Sequence, residues 1–269
     1  MPKPKKAKVI VVMPAYNAAK TVAKTYNDIP KGVVHEVILV DDVSKDDTIE
    51  VARQLPIKVV VHRENSGYGG NQKTCYTEAL IAGADVVVML HPDYQYDSRV
   101  IPYMIQPILD GHADFVLGSR IIGEGALAGG MPLYKFVANR FLTTVENMVL
   151  NRKFSDLHTG FRAYSRRLLC DVPYVLNSNN FVFDSQMIAQ VNWRGYVTTE
   201  VPIPTRYFAE ASSINFRNST VYGLATLGVM FQLLMQKLGL KHYAWLERRL
   251  EDVISRPYAE KIFGKKRKK

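Results

Sequence analysis

Short runs of apolar residues, many of them β-branched, recur along the first half of the chain. The runs are Val9–Val12, Val37–Val40, Val59–Val61, Val86–Leu90 and Phe115–Leu117. Because apolar residues in these runs do not alternate with polar ones, the pattern is typical of strands that are covered on both faces. Each run is short enough to be a single strand, and we predict five strands from them.

Apolar residues at helical spacing separate the predicted strands. The sets are Val22, Tyr26 and Ile29, then Ile49, Ala52 and Leu55, then Cys75, Ala79 and Ala82. An alternation of strands and helices predicts an α/β fold in which helices flank a mostly parallel, twisted sheet. Ligands of such sheets bind beyond the carboxyl ends of the strands.

Two longer apolar segments, Gly129–Leu150 and Val221–Leu240, are predicted to be amphipathic helices. In the first, Lys135, Arg140 and Glu146 are expected to lie off the apolar face. The second is long enough to cross a membrane but contains polar residues and three glycines, so it is not a convincing span. It is interpreted either as a buried core helix or as a helix lying among lipid headgroups.

The net charge of +10 is concentrated at the two ends of the chain. Residues 1–8 carry four lysines, and residues 260–269 carry six basic residues and one acidic residue. The body between them is nearly neutral, so the charge does not indicate a nucleic-acid partner. Two interpretations of the ends remain open: solubilising tails, or tails attracted to an anionic membrane face by about 1 kcal/mol per basic residue.

The remaining composition favours a reduced compartment. The two cysteines, Cys75 and Cys170, form no spaced motif, and this does not indicate a disulfide framework. The first apolar run, Val9–Met13, is too short for the core of a signal peptide. We expect a cytoplasmic protein with basic tails at 1–8 and 260–269, a main domain at 9–220 and a helical segment at 221–259.

Polar residues follow every predicted strand. They are Pro14, Tyr16 and Asn17 after the first, Asp41 and Asp42 after the second, Asn65, Gly67 and Gly70 after the third, His91, Asp93 and Gln95 after the fourth, and Ser119 and Arg120 after the fifth. Together they predict a site with carboxylates, a glycine loop and an arginine. No G-x-G-x-x-G or G-K-[ST] pattern is present, and this weighs against dehydrogenases, epimerases and common ATPases.

Several of these stretches carry a resemblance to a known family. The stretches VVMPAYNAAKTV, VILVDDVSKDDT, RENSGYGGNQ, HPDYQYD and LGSR, in that order, resemble family 2 glycosyltransferases with the GT-A fold. The later stretches GGMPLYKFVANRF and FSDLHTGFRAYSR resemble the branch that includes dolichol-phosphate mannose synthase. The resemblance covers about residues 8–215. It implies a nucleotide-diphosphate sugar, linked to UDP or GDP, as donor, with Mg²⁺ or Mn²⁺ and inversion at the anomeric carbon.

The resemblance also implies a metal site after the fourth strand. The family places an Asp-x-Asp motif there, and Asp93 and Gln95 match its second Asp and a following Gln. His91 stands at the first Asp. A divalent cation that takes diphosphate oxygens needs few protein ligands, and Asp93 can supply a carboxylate. His91 is expected either to ligate a softer ion such as Mn²⁺ or to hydrogen-bond the sugar or ribose.

Other roles follow from the resemblance by position. Asp41 and Asp42 would contact the base, beside Pro14, Tyr16 and Asn17, while the Gly67–Asn71 loop after Asn65 would approach the nucleotide. Arg120 would pair with phosphate, and an acceptor site would be formed by Ser119, Arg120, His158, Thr159, Gly160 and Arg162. Arg206 and Ser213 match an Arg and Ser-Lys pattern at the diphosphate. The spacing between them is one residue longer here and the lysine is replaced, which implies a different clamp.

The acceptor decides what the site must do. A hydroxyl acceptor requires a general base, for which Asp184 is the candidate, whereas a polyprenyl phosphate is already ionised. The first hypothesis is transfer to a polyprenyl phosphate by a peripheral enzyme at the cytoplasmic membrane face, with Asp93, Asp184 and Arg120 as its catalytic residues. The second is transfer to a hydroxyl of a saccharide or lipid. The third is a nucleotide-sugar binding protein that is weakened catalytically by His91.

Overall fold

The computed structural model describes residues 7–122, 126–127, 130–205 and 216–264, with the side chains of 216–218 excluded. Its described strands form one seven-stranded sheet. The strands are β1 (Val9–Ala15), β2 (Glu36–Asp41), β3 (Lys58–Val61), β4 (Val86–Met89), β5 (Phe115–Ser119), β6 (Arg162–Ser165) and β7 (Thr198–Pro202). The five predicted strands are β1 to β5, so the prediction of an α/β sheet is confirmed.

The strand order in the sheet is β3-β2-β1-β4-β6-β5-β7. All neighbouring pairs are parallel except those of β6, which runs antiparallel to both β4 and β5. The mostly parallel sheet is therefore confirmed. The antiparallel strand begins at the edge where β4 and β5 end, since Arg162 pairs with Met89 and Leu117. This brings Arg162 to the edge at which ligands of parallel sheets bind.

The described helices lie on both sides of the sheet. They are α1 (Val22–Asn27), α2 (Thr48–Arg53), α3 (Gly67–Ile81), α4 (Ile101–Leu109), α5 (Leu133–Leu150), α6 (Arg166–Asp171), α7 (Phe183–Trp193), α8 (Phe216–Lys237), α9 (Ala244–Glu247), α10 (Leu250–Val253) and α11 (Arg256–Phe263). Ile10 and Val12 of β1 pack in one buried cluster with α3, α7 and α8. Val9 and Val11 pack in a second cluster with α1, α2 and α4.

The structure corrects the predicted placement of Glu146. It lies on α5 and is fully buried, whereas the sequence pattern placed it on a polar face. The solvent-facing side of α5 is instead apolar, because Val137, Phe141 and Met148 are exposed there. Charged residues normally lie on the solvent-facing side of a helix. A buried glutamate therefore indicates a specific polar neighbour in the interior.

Helix α8 packs on the core along one side, and its position among lipid headgroups stays a prediction. Val229, Met230 and Leu233 are buried in the same cluster as the sheet, while Val221 and Leu224 are exposed. The predicted boundary at residue 220 falls inside this helix, so the C-terminal segment packs as part of the main domain. Among the described residues, no helix combines the length and apolar composition that a membrane crossing requires.

The folded body also extends into both predicted tails. The Lys8 ammonium lies 2.9 Å from the Glu36 carboxylate, and the Lys8 backbone N–H donates to Asp85. At the other end, α11 continues to Phe263, with Ile262 buried and its carbonyl accepting from Arg166 at 3.0 Å. The buried isoleucine explains why a segment that looked like a charged tail from its composition is partly helical.

Candidate active site

The carboxyl edge of the sheet holds an unusual concentration of left-handed backbone. The described residues include four non-glycine residues with positive φ, and Asn17 (53°), Val43 (64°) and Tyr94 (61°) follow β1, β2 and β4. This conformation is unfavourable for residues with a Cβ, most of all for a β-branched valine. Such residues cluster at functional sites, where the surrounding structure imposes them. The edge is therefore the candidate active site.

The loops after β1 and β2 are joined to each other. The Asn17 backbone N–H donates to Ser44 Oγ at 2.9 Å, and its side-chain oxygen accepts from the Lys45 N–H at 2.8 Å. Asp41 is fully buried, and its carboxylate accepts from the backbone N–H and the hydroxyl of Ser44. Asp41 thus shapes the loop that holds Asn17 and the half-exposed Tyr16. A contact between Asp41 and a base stays a prediction.

Asp42 organises the start of α3. Its carboxylate accepts from the Ser66 N–H at 2.7 Å and the Gly67 N–H at 2.9 Å, and it lies 2.8 Å from His62 Nδ1. The Asn65 amide donates to the Asp42 carbonyl at 2.9 Å. Gly67 has φ +79°, and a Cβ there would lie 2.8 Å from the Asn179 carbonyl oxygen. The structure therefore brings together the predicted residues Asp42, Asn65 and Gly67, with Gly70 one turn further along the helix.

His91 lies between an aromatic ring and a glycine. Its ring stacks on Tyr68 with centroids 5.5 Å apart, and its Nε2 lies 3.3 Å from the Tyr68 hydroxyl. A Cβ on Gly160 would come within 2.7 Å of His91 Cδ2. Burial lowers the pKa of His91, and the charges of Asp93 and Asp184 oppose that shift only in part. The imidazole is thereby kept neutral, as a metal ligand or hydrogen-bond acceptor must be.

Asp93 follows in the turn after His91. Its carboxylate is buried and accepts from the Gln95 N–H at 3.0 Å. Within the described part of the chain, no three His, Cys, Asp or Glu side chains are grouped as a metal site. One carboxylate with a neutral imidazole nearby nevertheless fits a cation that takes its other ligands from a diphosphate and water. Asp93 and His91 are the residues that would hold such an ion.

Asp184 is the centre of a buried polar network that the sequence did not predict as a unit. It lies in the first turn of α7, and its carboxylate contacts Arg162 Nη1 at 2.7 Å. It also accepts from the Tyr68 hydroxyl at 2.8 Å and from the Gln72 amide at 3.1 Å. Burial would lower the pKa of Arg162, but the Asp184 charge raises it well above its usual range. Burial and Asp184 together raise the pKa of Tyr68.

Tyr68 and Gln72 are functional candidates that sequence reasoning missed. Both belong to the stretch GYGGNQ at the start of α3, and Gln72 is buried there. The sequence signal that could have identified Gln72 was a polar residue on the helix face that packs on the sheet. Its partner could not be inferred, because Asp184 is more than a hundred residues away in sequence.

Arg120 is held by a carboxylate. Its Nε and Nη2 lie 2.7 and 2.9 Å from the two oxygens of Asp156, and Nη2 also donates to the His158 carbonyl at 3.0 Å. Asp156 is fully buried. Burial alone would raise its pKa, but Arg120 lowers it well below its usual range. A contact of Arg120 with phosphate stays a prediction.

Two predicted acceptor residues lie in the interior. Ser119 is fully buried, and its hydroxyl contacts Ser155 Oγ and accepts from the N–H groups of Ile121 and Ile122. Thr159 is also fully buried, and its hydroxyl accepts from the Phe161 N–H at 3.3 Å. Both side chains shape the turns around the edge. Their acceptor contacts stay predictions.

His158 is turned towards the helices that cover the site. Its Nε2 lies 3.0 Å from the buried carboxylate of Glu146, and its Nδ1 lies 2.7 Å from the Tyr222 hydroxyl. Within the described part of the chain neither Glu146 oxygen has a hydrogen-bond partner, so the contact with His158 is a close approach and not a hydrogen bond. Burial and the charge of Glu146 raise the pKa of Tyr222. His158 is therefore a polar neighbour of Glu146 in the interior, and it connects α5 to Tyr222 on α8.

Tyr68 connects His91 to the Arg162–Asp184 pair, because its hydroxyl contacts both His91 and Asp184. Gly160 lies against His91, and its N–H donates to Tyr96 Oη at 2.9 Å. Asp93 and Gln95 follow His91 in the same turn. The Asn17 and Asp42 loops flank it along the same edge. The predicted clamp residues Arg206 and Ser213 lie outside the described residues.

This architecture, a parallel nucleotide-binding half followed by an antiparallel strand beside an acidic strand end, is that of a GT-A glycosyltransferase. A model of the family "Glycosyl transferase family 2" matches residues 10–172. The chain therefore belongs to glycosyltransferase family 2, as the sequence motifs predicted.

Curated relatives include enzymes named for a lipid phosphate. A UDP-N-acetylglucosamine–dolichyl-phosphate N-acetylglucosaminyltransferase of Methanococcus voltae is 27% identical over 86% of this chain and 96% of its own length. A dolichyl-phosphate hexose transferase of Haloferax volcanii is 32% identical over 73% of this chain and 82% of its own. These relatives support the predicted polyprenyl-phosphate branch.

Solved structures confirm the fold. Glucosyl-3-phosphoglycerate synthase from Mycobacterium tuberculosis, in complex with Mn²⁺, uridine diphosphate and phosphoglyceric acid, superimposes with a TM-score of 0.65. It is 19% identical, and the match covers 88% of this chain and 81% of that one. The likeness establishes the GT-A architecture.

Proposed function

We propose that the protein is an inverting, metal-dependent glycosyltransferase that moves a sugar from a nucleotide-diphosphate sugar to a polyprenyl phosphate of the dolichyl type. The observation that carries the proposal is the set of contacts made by the Asp184 carboxylate. Its carboxylate is committed to Arg162, Tyr68 and Gln72. A carboxylate held by three donors is suited to orienting its neighbours and less suited to removing a proton, as a hydroxyl acceptor would require.

A phosphate acceptor fits such a site because it is already ionised. One of its oxygens forms the new bond to the anomeric carbon, while the bond from that carbon to the donor's diphosphate breaks on the opposite face. The electron pair of the broken bond leaves with the nucleoside diphosphate. No proton has to be removed for this step, so Asp184 is free to hold Arg162 in place.

The leaving diphosphate needs positive charge. Asp93 and His91 would hold the divalent ion, which supplies charge stabilisation to the leaving oxygens. His91 would do so as a neutral ligand, in keeping with its burial between Tyr68 and Gly160. The structures of the mycobacterial synthase with Mn²⁺ or Mg²⁺ and uridine diphosphate support a divalent ion and a uridine donor as the first choice.

The outer faces of α5 and α8 support a peripheral association with a membrane that carries the acceptor. Large apolar side chains are exposed along both helices at spacings of three, four or seven residues. They are Leu133, Val137, Phe141 and Met148 on α5, Val221, Leu224 and Phe231 on α8, and Leu238 directly after α8. Apolar stripes on neighbouring surface helices are typical of helices that lie in a headgroup layer. A location at the cytoplasmic membrane face is part of this proposal.

A hydroxyl acceptor is the second candidate. It is favoured by the position of Asp184 one hydrogen bond from Tyr68, whose hydroxyl also lies 3.3 Å from His91. In that case Asp184 would have to release Arg162 as it takes up the proton.

The experiment that tests the proposal offers purified full-length protein UDP- and GDP-linked sugars with Mn²⁺ or Mg²⁺ and polyprenyl phosphate. We expect a glycosylated polyprenyl phosphate from one donor, and none after chelation of the metal. Transfer to hydroxyl acceptors alone would overturn the choice of acceptor. Tight donor binding without either transfer or donor hydrolysis would instead identify a nucleotide-sugar binding protein.

A further inference from the structure

A groove of about 600 Å³ opens at the carboxyl end of α5. Its lining includes none of the residues that are proposed above to contact the donor or the metal. Of the nine described residues that line it, Arg140, Arg152 and Lys153 are basic and none is acidic. The groove is therefore an electropositive concavity on a body whose remaining charges nearly balance.

The walls of the groove are fixed by hydrogen bonds. Asn147 pins the loop after α5, because its side chain donates to the Phe154 carbonyl at 2.8 Å and accepts from the Phe154 N–H at 2.9 Å. Arg140 Nη1 donates to the Ser155 carbonyl at 2.6 Å. Asn151, which directly follows α5, has the left-handed conformation, and the Arg152 N–H donates to the Asn147 carbonyl. These hydrogen bonds fix the backbone that carries the basic side chains.

One carboxylate and one further cation lie beside the groove. The Glu200 carboxylate reaches Ser155, where it accepts from the Ser155 N–H at 2.8 Å and the Asp156 N–H at 3.0 Å. On α8, Lys237 donates to the Val149 carbonyl at 2.8 Å. Burial lowers the pKa of Lys237, and the charge of Arg152 adds to that shift. A bound anion would stabilise a cation that lies beside another cation.

The groove borders the apolar faces described above. Met148 lines it and is 68% exposed. Met148 continues the stripe of Val137 and Phe141 on α5. The exposed Leu234 lies on α8, and the exposed Leu238 directly follows Lys237. A basic concavity at the edge of an apolar surface has the chemistry of a membrane interface, where apolar side chains enter the acyl layer and cations meet phosphates.

We propose that this groove binds the phosphate of an anionic membrane lipid headgroup, while the outer faces of α5 and α8 enter the lipid surface. The inference rests on the membrane association in the proposed function and names the site and the chemistry that orient the enzyme. The bound lipid is distinct from the acceptor, because the groove lies outside the site of His91 and Asp93. Arg152 and Lys153 are the determinants, since both are exposed at the groove mouth.

The test uses the full-length protein and a charge-matched control. Co-sedimentation is measured with vesicles of neutral phosphatidylcholine, with and without anionic phosphatidylglycerol. The variant Arg152→Glu/Lys153→Glu is compared with Lys31→Glu/Arg53→Glu, which reverses the same charge at exposed positions near other elements. We expect the groove variant to lose about tenfold or more in affinity for anionic vesicles, and the control to lose about twofold or less.

Equal losses in the two variants, or equal binding of wild-type protein to neutral and anionic vesicles, would overturn the proposal. A separate arm titrates inorganic phosphate without vesicles at constant ionic strength. Saturable phosphate binding that the groove variant loses, with vesicle binding unchanged, would assign the groove to a soluble anion instead. Donor hydrolysis without vesicles is measured in parallel and should be unchanged in both variants. If wild-type protein shows no sugar transfer but the vesicle result holds, the proposed function fails and the groove stands.

Discussion

Arg162 and Asp184 form a buried ion pair, with Nη1 and Oδ1 2.7 Å apart, between the first residue of β6 and the first turn of α7. The side chain of Arg162 is 1% exposed. The pair therefore joins the antiparallel strand to the helix that closes the site, and Tyr68 links it to His91. The geometry of the candidate active site depends on this pair.

Replacing only one residue of the Arg162–Asp184 pair should lower the free energy of unfolding. Asp184→Asn leaves the Arg162 charge buried without its counter-charge, and we expect the free energy of unfolding to fall by about 3 kcal/mol or more. Arg162→Met/Asp184→Asn should recover part of that loss, because no isolated charge remains. Urea unfolding of both single variants and the double variant measures the coupling. Additive losses would mean that the two side chains do not interact in solution.

Asp156 should make stability depend on acid pH. The Arg120 guanidinium holds the pKa of Asp156 below its usual value of about 3.9. The unfolded chain therefore binds a proton at a higher pH than the folded protein, so this stabilisation is complete above about pH 5 and is lost as the pH falls through and below 4. Thermal unfolding from pH 6 to pH 3 should show a flatter acid limb in Asp156→Asn than in wild type. Parallel curves would refute the assignment.

Gly160 should be required for the position of His91. A methyl group at residue 160 would lie 2.7 Å from His91 Cδ2 and 2.9 Å from Nε2. Gly160→Ala should displace the imidazole and lower transfer by about 10- to 100-fold. Gly228→Ala is the matched control, because nothing lies within 4 Å of a Cβ there. Wild-type transfer by Gly160→Ala, with its fold intact by circular dichroism, would show that His91 has no fixed role.

Asp93 should determine metal dependence. Asp93→Asn keeps the side-chain volume but removes the charged ligand, so most transfer should be lost while the fold remains. His91→Asp offers a hard oxygen ligand in place of nitrogen and should shift the preference from Mn²⁺ towards Mg²⁺. Metal titrations of initial rate measure both effects. Wild-type turnover of Asp93→Asn at saturating metal would place the ion elsewhere.

The sequence predicted the parts of this protein that depend on local pattern. The first five strands were recognisable because each is an uninterrupted apolar run, and Asp93 and His91 could be assigned to the active edge because they follow one of them. Strand β6 was not recognisable as a strand, since it is four residues long and begins and ends with polar residues. Strand β7 is only partly buried and carries Glu200.

Contacts between residues that are far apart in sequence could not be predicted from local pattern. Glu146 looked like a surface residue because helical spacing gives a position and not a partner, yet it is buried beside His158. Arg120 and Arg162 were both expected to face ligands, and the structure pairs them with Asp156 and Asp184. Their contacts depend on how β5, β6 and α7 meet, which is a property of the sheet order.

The most direct test compares two acceptors that differ only in their phosphate. Purified full-length protein, a radiolabelled UDP-linked sugar and Mn²⁺ are incubated with polyprenyl phosphate or with the corresponding polyprenol, and labelled lipid is separated by chromatography. We expect metal-dependent label in the polyprenyl-phosphate sample and none in the polyprenol sample, because the phosphate is already ionised and the polyprenol needs a general base. Metal-dependent label in polyprenol at an equal or higher rate would contradict transfer to a lipid phosphate.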